Sequence, residues 1–208
     1  MLVDHIFIFV NSKEEADALV DFGMTEGSGN VHRGIGTVNR RFFFENFYLE
    51  ILWVENESEA KSVSEIGIWE RSNYKSSGYS RFGLCLKNRD DTDSIFENSI
   101  KWEPMFLSKG EYVNILTNEK MPWIFRFPVN RRKDLSEEPT FHKSGIEQLS
   151  KAIFNLSKKE FGDKLDLISD NSIIEFEKVG TNSLILEFDN KKQGKTKIFE
   201  NLNLILNY

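Results

Sequence analysis

Three ionisable residues stand in the middle of apolar, strand-like runs, where a charge is costly to bury unless it is paired or coordinated. His5 lies in the run Val3 to Val10, Glu50 in Tyr48 to Val54, and Glu187 in Leu184 to Phe188. One imidazole and two carboxylates form a nitrogen and oxygen ligand set suited to Zn²⁺, Mn²⁺, Fe²⁺, Ni²⁺ or Mg²⁺, with positions left open for water or substrate. In that chemistry Glu50 and Glu187 are also the candidate catalytic carboxylates. The three carry no spacing signature. The alternative is that His5 hydrogen-bonds a neighbour while the glutamates pair with arginine or face solvent.

The stretch Asn30 to Arg41 holds the candidates for substrate binding. Gly34 and Gly36 let the backbone turn tightly or approach a ligand, so that His32, Asn39 and Arg41 converge as donors on an oxyanion or carboxylate. Alternation sends Asn39 and Arg41 to one face of the following strand and Arg40 to the other. The bland alternative is a glycine-rich hairpin with solvated arginines. The stretch is no phosphate loop, because no Lys-Ser/Thr pair follows it. Trp53 is a groove-wall or core aromatic. The histidines, His5, His32 and His142, accompany no nucleophile-elbow sequence, so a serine or cysteine triad has no support.

The elements that must position these residues follow from hydrophobic period and punctuation. Val3 to Val10 reads as a strand, with His5, Phe7 and Phe9 on one face and an aliphatic face formed by Ile6, Ile8 and Val10. A helix follows, with Ser12 as N-cap, Glu15 as its capping-box partner and Gly23 as its stop. Arg41 to Glu45 and Tyr48 to Val54 read as strands, and Glu55 to Ser80 as a serine-rich connector outside the core. A second, looser version of the pattern has a strand at Arg81 to Lys87, a helix at Asp91 to Ile100, and strands at Pro104 to Leu107, Tyr112 to Leu116 and Trp123 to Phe127. A third begins at Leu149, where Lys151 falls over His5. Its helical segment is Lys158 to Leu167, and Leu184 to Phe188 echoes Phe47 to Ile51, with Glu187 over Glu50. Such repeats imply modules packed on one another: a first module at 1–56, a connector at 57–80, and a second half at 81–208 with segments at 81–130 and 145–208.

Composition excludes several classes. With 39% hydrophobic residues, 13% aromatic and 18 Phe in 208 residues, the chain belongs with packed globular proteins. Lys+Arg of 27 against Asp+Glu of 33 gives a net charge of -6, which provides no general attraction for nucleic acid. The basic runs Arg40-Arg41, Arg131-Arg132-Lys133 and Lys191 to Lys197 read mainly as solvated loops. The single Cys85 lies in an apolar run, which suits a buried and quiet thiol in a reducing compartment. No stretch approaches a membrane span, and the first apolar run lacks a basic leader, so the expected location is the cytoplasm.

Asp4 to Ile8, His32 to Phe42 and Tyr48 to Val54 together resemble the glyoxalase-like domain proteins of the vicinal oxygen chelate superfamily. Phe82 to Leu86 and Leu186 to Gly194 resemble later landmarks of the same group. The resemblance implies an α+β fold of repeated βαβββ modules, whose curved mixed sheets surround a cavity. It implies a divalent metal held by a His on a first strand and a Glu on a fourth strand of each module. His5 and Glu50 match one such pair and Glu187 the later Glu. The remaining His is replaced by Lys151 or Arg81, neither a metal ligand. The expected function is that of a metal-dependent lyase, isomerase or dioxygenase-type enzyme on a small oxygen-rich substrate, with no organic cofactor. The alternative is a metal-free protein that binds or sequesters a small molecule. A homodimer is compatible with either.

Overall fold

The structure is a computed structural model that describes residues 1–116, 118–128, 137–157 and 162–208. The run Arg131-Arg132-Lys133 and the first four positions of the expected Lys158 to Leu167 helix lie outside the described residues. The first part of the chain forms β1 (Val3–Phe9), α1 (Asp17–Asp21), β2 (Asn30–His32), β3 (Thr37–Phe43), β4 (Tyr48–Val54), α2 (Glu57–Ser62), α3 (Ile68–Ser72) and α4 (Tyr74–Ser77). Then come β5 (Phe82–Leu86), α5 (Asp93–Phe96), β6 (Ile100–Trp102), β7 (Val113–Leu116) and β8 (Trp123–Arg126). The last part holds β9 (Leu149–Leu156), α6 (Gly162–Asp170), β10 (Ile174–Lys178), β11 (Ser183–Phe188), β12 (Thr196–Phe199) and β13 (Leu204–Asn207).

β1 is rich in β-branched and aromatic residues and buried on both faces, which suits a central strand. It pairs in parallel with β4 and antiparallel with β5. The whole first sheet runs β2-β3-β4-β1-β5-β8-β7-β6, an order that reads as two copies of one four-strand unit joined back to back. Register locates the joint, since Phe7 is the cross-strand partner of Gly83. Phe7 also partners Glu50 on β4, and Gly83 partners Trp123 on β8. If Phe7 and Gly83 are equivalent, Arg81 stands where His5 stands and Trp123 where Glu50 stands.

The second sheet runs β10-β9-β11-β13-β12. β9 pairs in parallel with β10 and antiparallel with β11, while β11 pairs in parallel with β13. That is the sequence of orientations found around β4-β1-β5-β8. β11 therefore corresponds to β5, not to β4, and the alignment of Glu187 with Glu50 is overturned. Glu187 faces Lys151 across the strands as Cys85 faces His5.

Alternation assigns the two faces of the first sheet. Ile6, Ile8, Leu49, Ile51, Phe82 and Leu84 join Ala152, Phe154, Leu184, Leu186 and Phe188 of the second sheet in one apolar core, with Leu19 of α1 and Leu165 of α6. The aliphatic face of β1 thus meets the second sheet as well as helices. The opposite face buries Phe7, Phe9, Leu52, Cys85, Trp123 and Phe125 in a separate cluster. The 57–80 segment closes that cluster from outside with Ala60, Val63, Ile66 and Ile68, so it is a core element and not a free connector. Arg71 at the end of α3 is buried and donates to the carbonyls of Ser80, Asn118 and Met121, which fixes the segment in place. Burial pulls its guanidinium down to about 10.

Two local expectations are also corrected. Pro104 to Leu107 is a turn after β6 and not a strand, in keeping with a proline at its start. Ser12 makes no side-chain cap, and Glu15 accepts instead from the backbone N–H and Nδ2 of Asn11. Gly23 does end the helical stretch, at φ +101°.

Candidate functional site

Four adjacent strands bring the polar residues of the first module to one face. His5 faces Tyr48 and Phe7 faces Glu50 between β1 and β4. On β3, Arg41 faces Glu50 and Asn39 faces Leu52, and on β2 His32 faces Thr37. Partners in register point to the same side, so His5, Tyr48, Glu50, Asn39, Arg41 and His32 share one surface.

Glu50 is the centre of this group and is only 5% exposed. Its Oε2 lies 3.6 Å from Nε2 of His5, and its Oε1 lies 3.9 Å from Nε2 of His32. Asn39 donates Nδ2–H to Oε1 of Glu50. His5 is oriented from behind: Nδ1–H donates to Oδ1 of Asp4 at 2.9 Å, and its ring stacks on Tyr48 at 4.6 Å between centroids. Phe125 presents an edge to the same ring at 5.6 Å. Asp4 reaches Nδ1 because the register of β1 against β5 shifts between Val3 and His5. Nδ1 of His32 lies 3.0 Å from Oγ1 of Thr37.

Electrostatics follow from burial. Desolvation lowers the pKa of His32, and the Glu50 carboxylate opposes it. Tyr48 is pushed well above its ordinary value, first by burial and then by the carboxylates of Glu50 and Asp4, so it keeps its proton. Arg41 donates Nε–H to the Ser28 carbonyl and an Nη–H to Oγ of Ser28, and its guanidinium lies 5.1 Å over Phe43. Arg40 points the other way and is held by Asp17 and Glu26 on the outer surface.

Two of the expected site residues stand elsewhere. Glu187 is on the second sheet, where Leu184, Leu186 and Phe188 turn inward and Glu187 turns outward to accept from Nζ of Lys191 at 3.0 Å. The two sheets pack between it and His5, so no shared centre forms and its catalytic and ligand roles fall away. Trp53 is three residues after Glu50 and hence on the opposite face of β4, in the inter-sheet core, where Nε1–H donates to Glu55. Sequence reasoning missed Asp4, Thr37, Tyr48 and Phe125; parity with Glu50 was available for Tyr48.

The second module has the strands without a matching His and Glu. Arg81 donates Nε–H to the Phe9 carbonyl and Nη1–H to the Asn201 carbonyl, under the ring of Tyr74 at 4.1 Å. Trp123 packs its edge against Phe7 at 5.8 Å. Its half of the curved face is filled by aromatics. Among the described residues, the one group of three His, Cys, Asp or Glu side chains with ligand atoms all within 4.8 Å is Asp4, His5 and Cys85.

A paired-module sheet with a His and a Glu on the first and fourth strands of one module is the arrangement that the resemblance to the vicinal oxygen chelate class implies. Residues 3–116, more than half of the chain, match the family described as "Glyoxalase-like domain", and the chain belongs to that family. A solved structure titled as a hypothetical protein from Staphylococcus aureus is similar over 98% of this chain and 97% of its own, with 15% identity and a TM-score of 0.62, a likeness of fold. A methylmalonyl-CoA epimerase in complex with methylmalonyl-CoA and NH4+ matches 60% of this chain and 92% of its own at 18% identity and a TM-score of 0.39. A mutant 4-hydroxymandelate synthase from Streptomyces coelicolor matches 99% of this chain and 61% of its own at 8% identity and a TM-score of 0.46. No curated protein matches the chain. No helix among the described residues is long and apolar enough to cross a membrane.

Proposed function

We propose that the chain is a metal-dependent enzyme of the glyoxalase-like kind that acts on a small oxygen-rich molecule at the first module, with His5 and Glu50 as metal ligands. The observation that carries the reading is the donor set itself. Because Nδ1–H of His5 is given to Asp4, the Nε2 lone pair faces an oxygen of Glu50 at 3.6 Å. Two lone pairs so placed, at a buried carboxylate with no lysine or arginine in bridging range among the described residues, call for a shared cation. These residues therefore fit a divalent ion.

A bound ion would supply Lewis acidity toward adjacent substrate oxygens. The chain does the rest. Asp4 fixes the tautomer of His5, and Asn39 fixes the rotation of the Glu50 carboxylate. Tyr48 holds its phenolic proton beside the same carboxylate and can donate it to a substrate oxygen. Arg41 shares that face and offers a fixed cation for a substrate carboxylate or enolate-like charge. The buried thiol Cys85 agrees with a reducing, cytoplasmic location.

The metal-free reading has one observation in its favour: Arg81 and Trp123 occupy the places of a second ligand pair. His5 as an imidazolium between Asp4 and Glu50 would then satisfy the site. Elemental analysis of protein purified without chelators separates the two. The expected result is a first-row divalent ion retained near one per chain and lost in Glu50→Gln. Absence of any retained ion after exposure to several divalent metals overturns the proposal and leaves the binding-protein reading.

A further inference from the structure

The geometry points to His32 as the third protein ligand of this centre, so that the metal is held by His5, Glu50 and His32 from the first module alone. The inference rests on the metal reading above and goes past it, because His32 stands on β2, on neither the first nor the fourth strand of a module. Three observations carry it. Nε2 of His32 lies 3.9 Å from Oε1 of Glu50, while Nε2 of His5 lies 3.6 Å from Oε2, so two imidazoles flank the two oxygens of one carboxylate. Ligand atoms at about 2 Å from a common tetrahedral ion are roughly 3–3.5 Å apart, so each Glu50 pair stands just outside a coordinating separation; the three side chains do not bring one ligand atom each within 4.8 Å of one another, so an ion would have to draw His32 inward.

The second observation is the outer contacts. Nδ1 of His5 meets Asp4 at 2.9 Å and Nδ1 of His32 meets Oγ1 of Thr37 at 3.0 Å. Imidazoles that bind metals are anchored through the ring nitrogen that does not ligate, and both rings here are anchored on Nδ1 with Nε2 directed at Glu50. The third is the second module, where neither Arg81 nor Trp123 can complete the shell. Two histidines and one carboxylate on one face leave further positions open for a bidentate substrate, which suits Fe²⁺, Zn²⁺, Mn²⁺ or Ni²⁺ better than Mg²⁺.

The rival third ligand is Cys85, which groups with Asp4 and His5. A metal held by Asp4 would compete with Nδ1–H of His5 for that carboxylate. It would also ionise a thiol enclosed by Phe7, Trp123 and Phe125, where a thiolate is poorly solvated.

The test uses the full chain stripped with a chelator and reloaded with Zn²⁺ or Co²⁺. Affinity is read by competition with a chromogenic chelator, and ligand type by the Co²⁺ visible and near-ultraviolet spectrum. His32→Ala should weaken Zn²⁺ binding by more than the roughly 10–100-fold typical of outer-contact changes, match His5→Ala, and alter the Co²⁺ d–d bands. Cys85→Ser should leave affinity and spectrum unchanged. Far-ultraviolet circular dichroism checks that each variant folds, and added imidazole should restore Co²⁺ binding to His32→Gly. Wild-type affinity in His32→Ala, or a thiolate charge-transfer band lost in Cys85→Ser, overturns His32 as ligand while the metal reading stands. A wild-type protein that binds no ion overturns both.

Discussion

Gly83 sits where the two halves of the first sheet meet, and the expected cost of altering it can be worked from distances. A Cβ built on Gly83 would lie 1.8 Å from Cζ of Phe7 and 2.0 and 2.5 Å from its two Cε atoms. A methyl group needs well over 3 Å, so the ring must leave its place rather than shift by tenths. It has nowhere to go: Phe7 is 1% exposed and touches Phe9 at 5.7 Å, Trp123 at 5.8 Å and Phe125 at 6.1 Å between ring centroids. Gly83→Ala should therefore fall at or above the upper end of the 1–3 kcal/mol seen for overpacking, about 3 kcal/mol. For a chain of this length that is a fall in Tm of roughly 6–12 °C. Urea unfolding of Gly83→Ala, Phe7→Leu and the double variant forms the assay. The double variant should be more stable than the sum of the single losses by about 1 kcal/mol or more, because a smaller side chain gives the methyl group room. A Gly83→Ala protein within about 0.5 kcal/mol of wild type, or a strictly additive double variant, would refute the reasoning.

Three further outcomes can be checked. Nδ1 of His142 accepts the Thr25 N–H, and Nε2–H donates to the Phe43 carbonyl, so the ring is held neutral, and burial lowers its pKa from 6.5. The unfolded chain then binds the extra proton more readily, so this contribution is complete above pH 6.5 and is lost as pH falls through the lowered value; His142→Gln should flatten that part of the stability profile. Cys85, at 1% exposure, should react with a thiol reagent only on unfolding, and rapid labelling of the native chain would contradict its placement. Arg41→Ala should weaken binding of an anionic ligand found by screening, by about tenfold or more, whereas Arg40→Ala should cost only about 0.5–1 kcal/mol of stability through its surface pairs; equal binding losses would show the faces to be misassigned.

The parts of the fold that were legible in the sequence are those decided by period. β1, β4 and β5 were readable because alternation and β-branched content both pointed to strands, and the pairing of His5 with Glu50 followed from the resemblance to the family. Glu187 was misread because an apolar-Glu-apolar run reports a strand but not its neighbours: β11 lies antiparallel to β9, and β4 lies parallel to β1. Only long-range pairing distinguishes them. Trp53, read as groove wall or core, was decidable, since an odd separation from Glu50 puts it on the other face, in the core. Asp4 was hidden for the opposite reason, because strict alternation sends it away from His5 and the irregular register of β1 brings it back. The burial of the 57–80 segment was obscured because its few apolar residues are spread among serines and glutamates, and their value depends on a curved face supplied by β7 and β8.

The two modules show how one architecture can divide its tasks. In the first, the curved face keeps a buried carboxylate and two imidazoles, a costly arrangement that persists only where other groups compensate it. In the second, the matching face is occupied by Trp123, Phe125 and Cys85 and closed by Ile66 and Ile68, so the same positions contribute apolar burial. Arg81 illustrates the exchange. Standing where His5 stands, it bridges the Phe9 carbonyl at the far end of β1 and the Asn201 carbonyl beside the second sheet, and so ties the two sheets together. The polar face of the first module is most open on the β2 and β3 side, where the His32 side chain keeps 24% of its surface exposed while Glu50 keeps 7% and His5 keeps 5%. On the proposed reading, a substrate would pass His32 before it reaches Glu50, which would make the hairpin from His32 to Thr37 the element that sets its size.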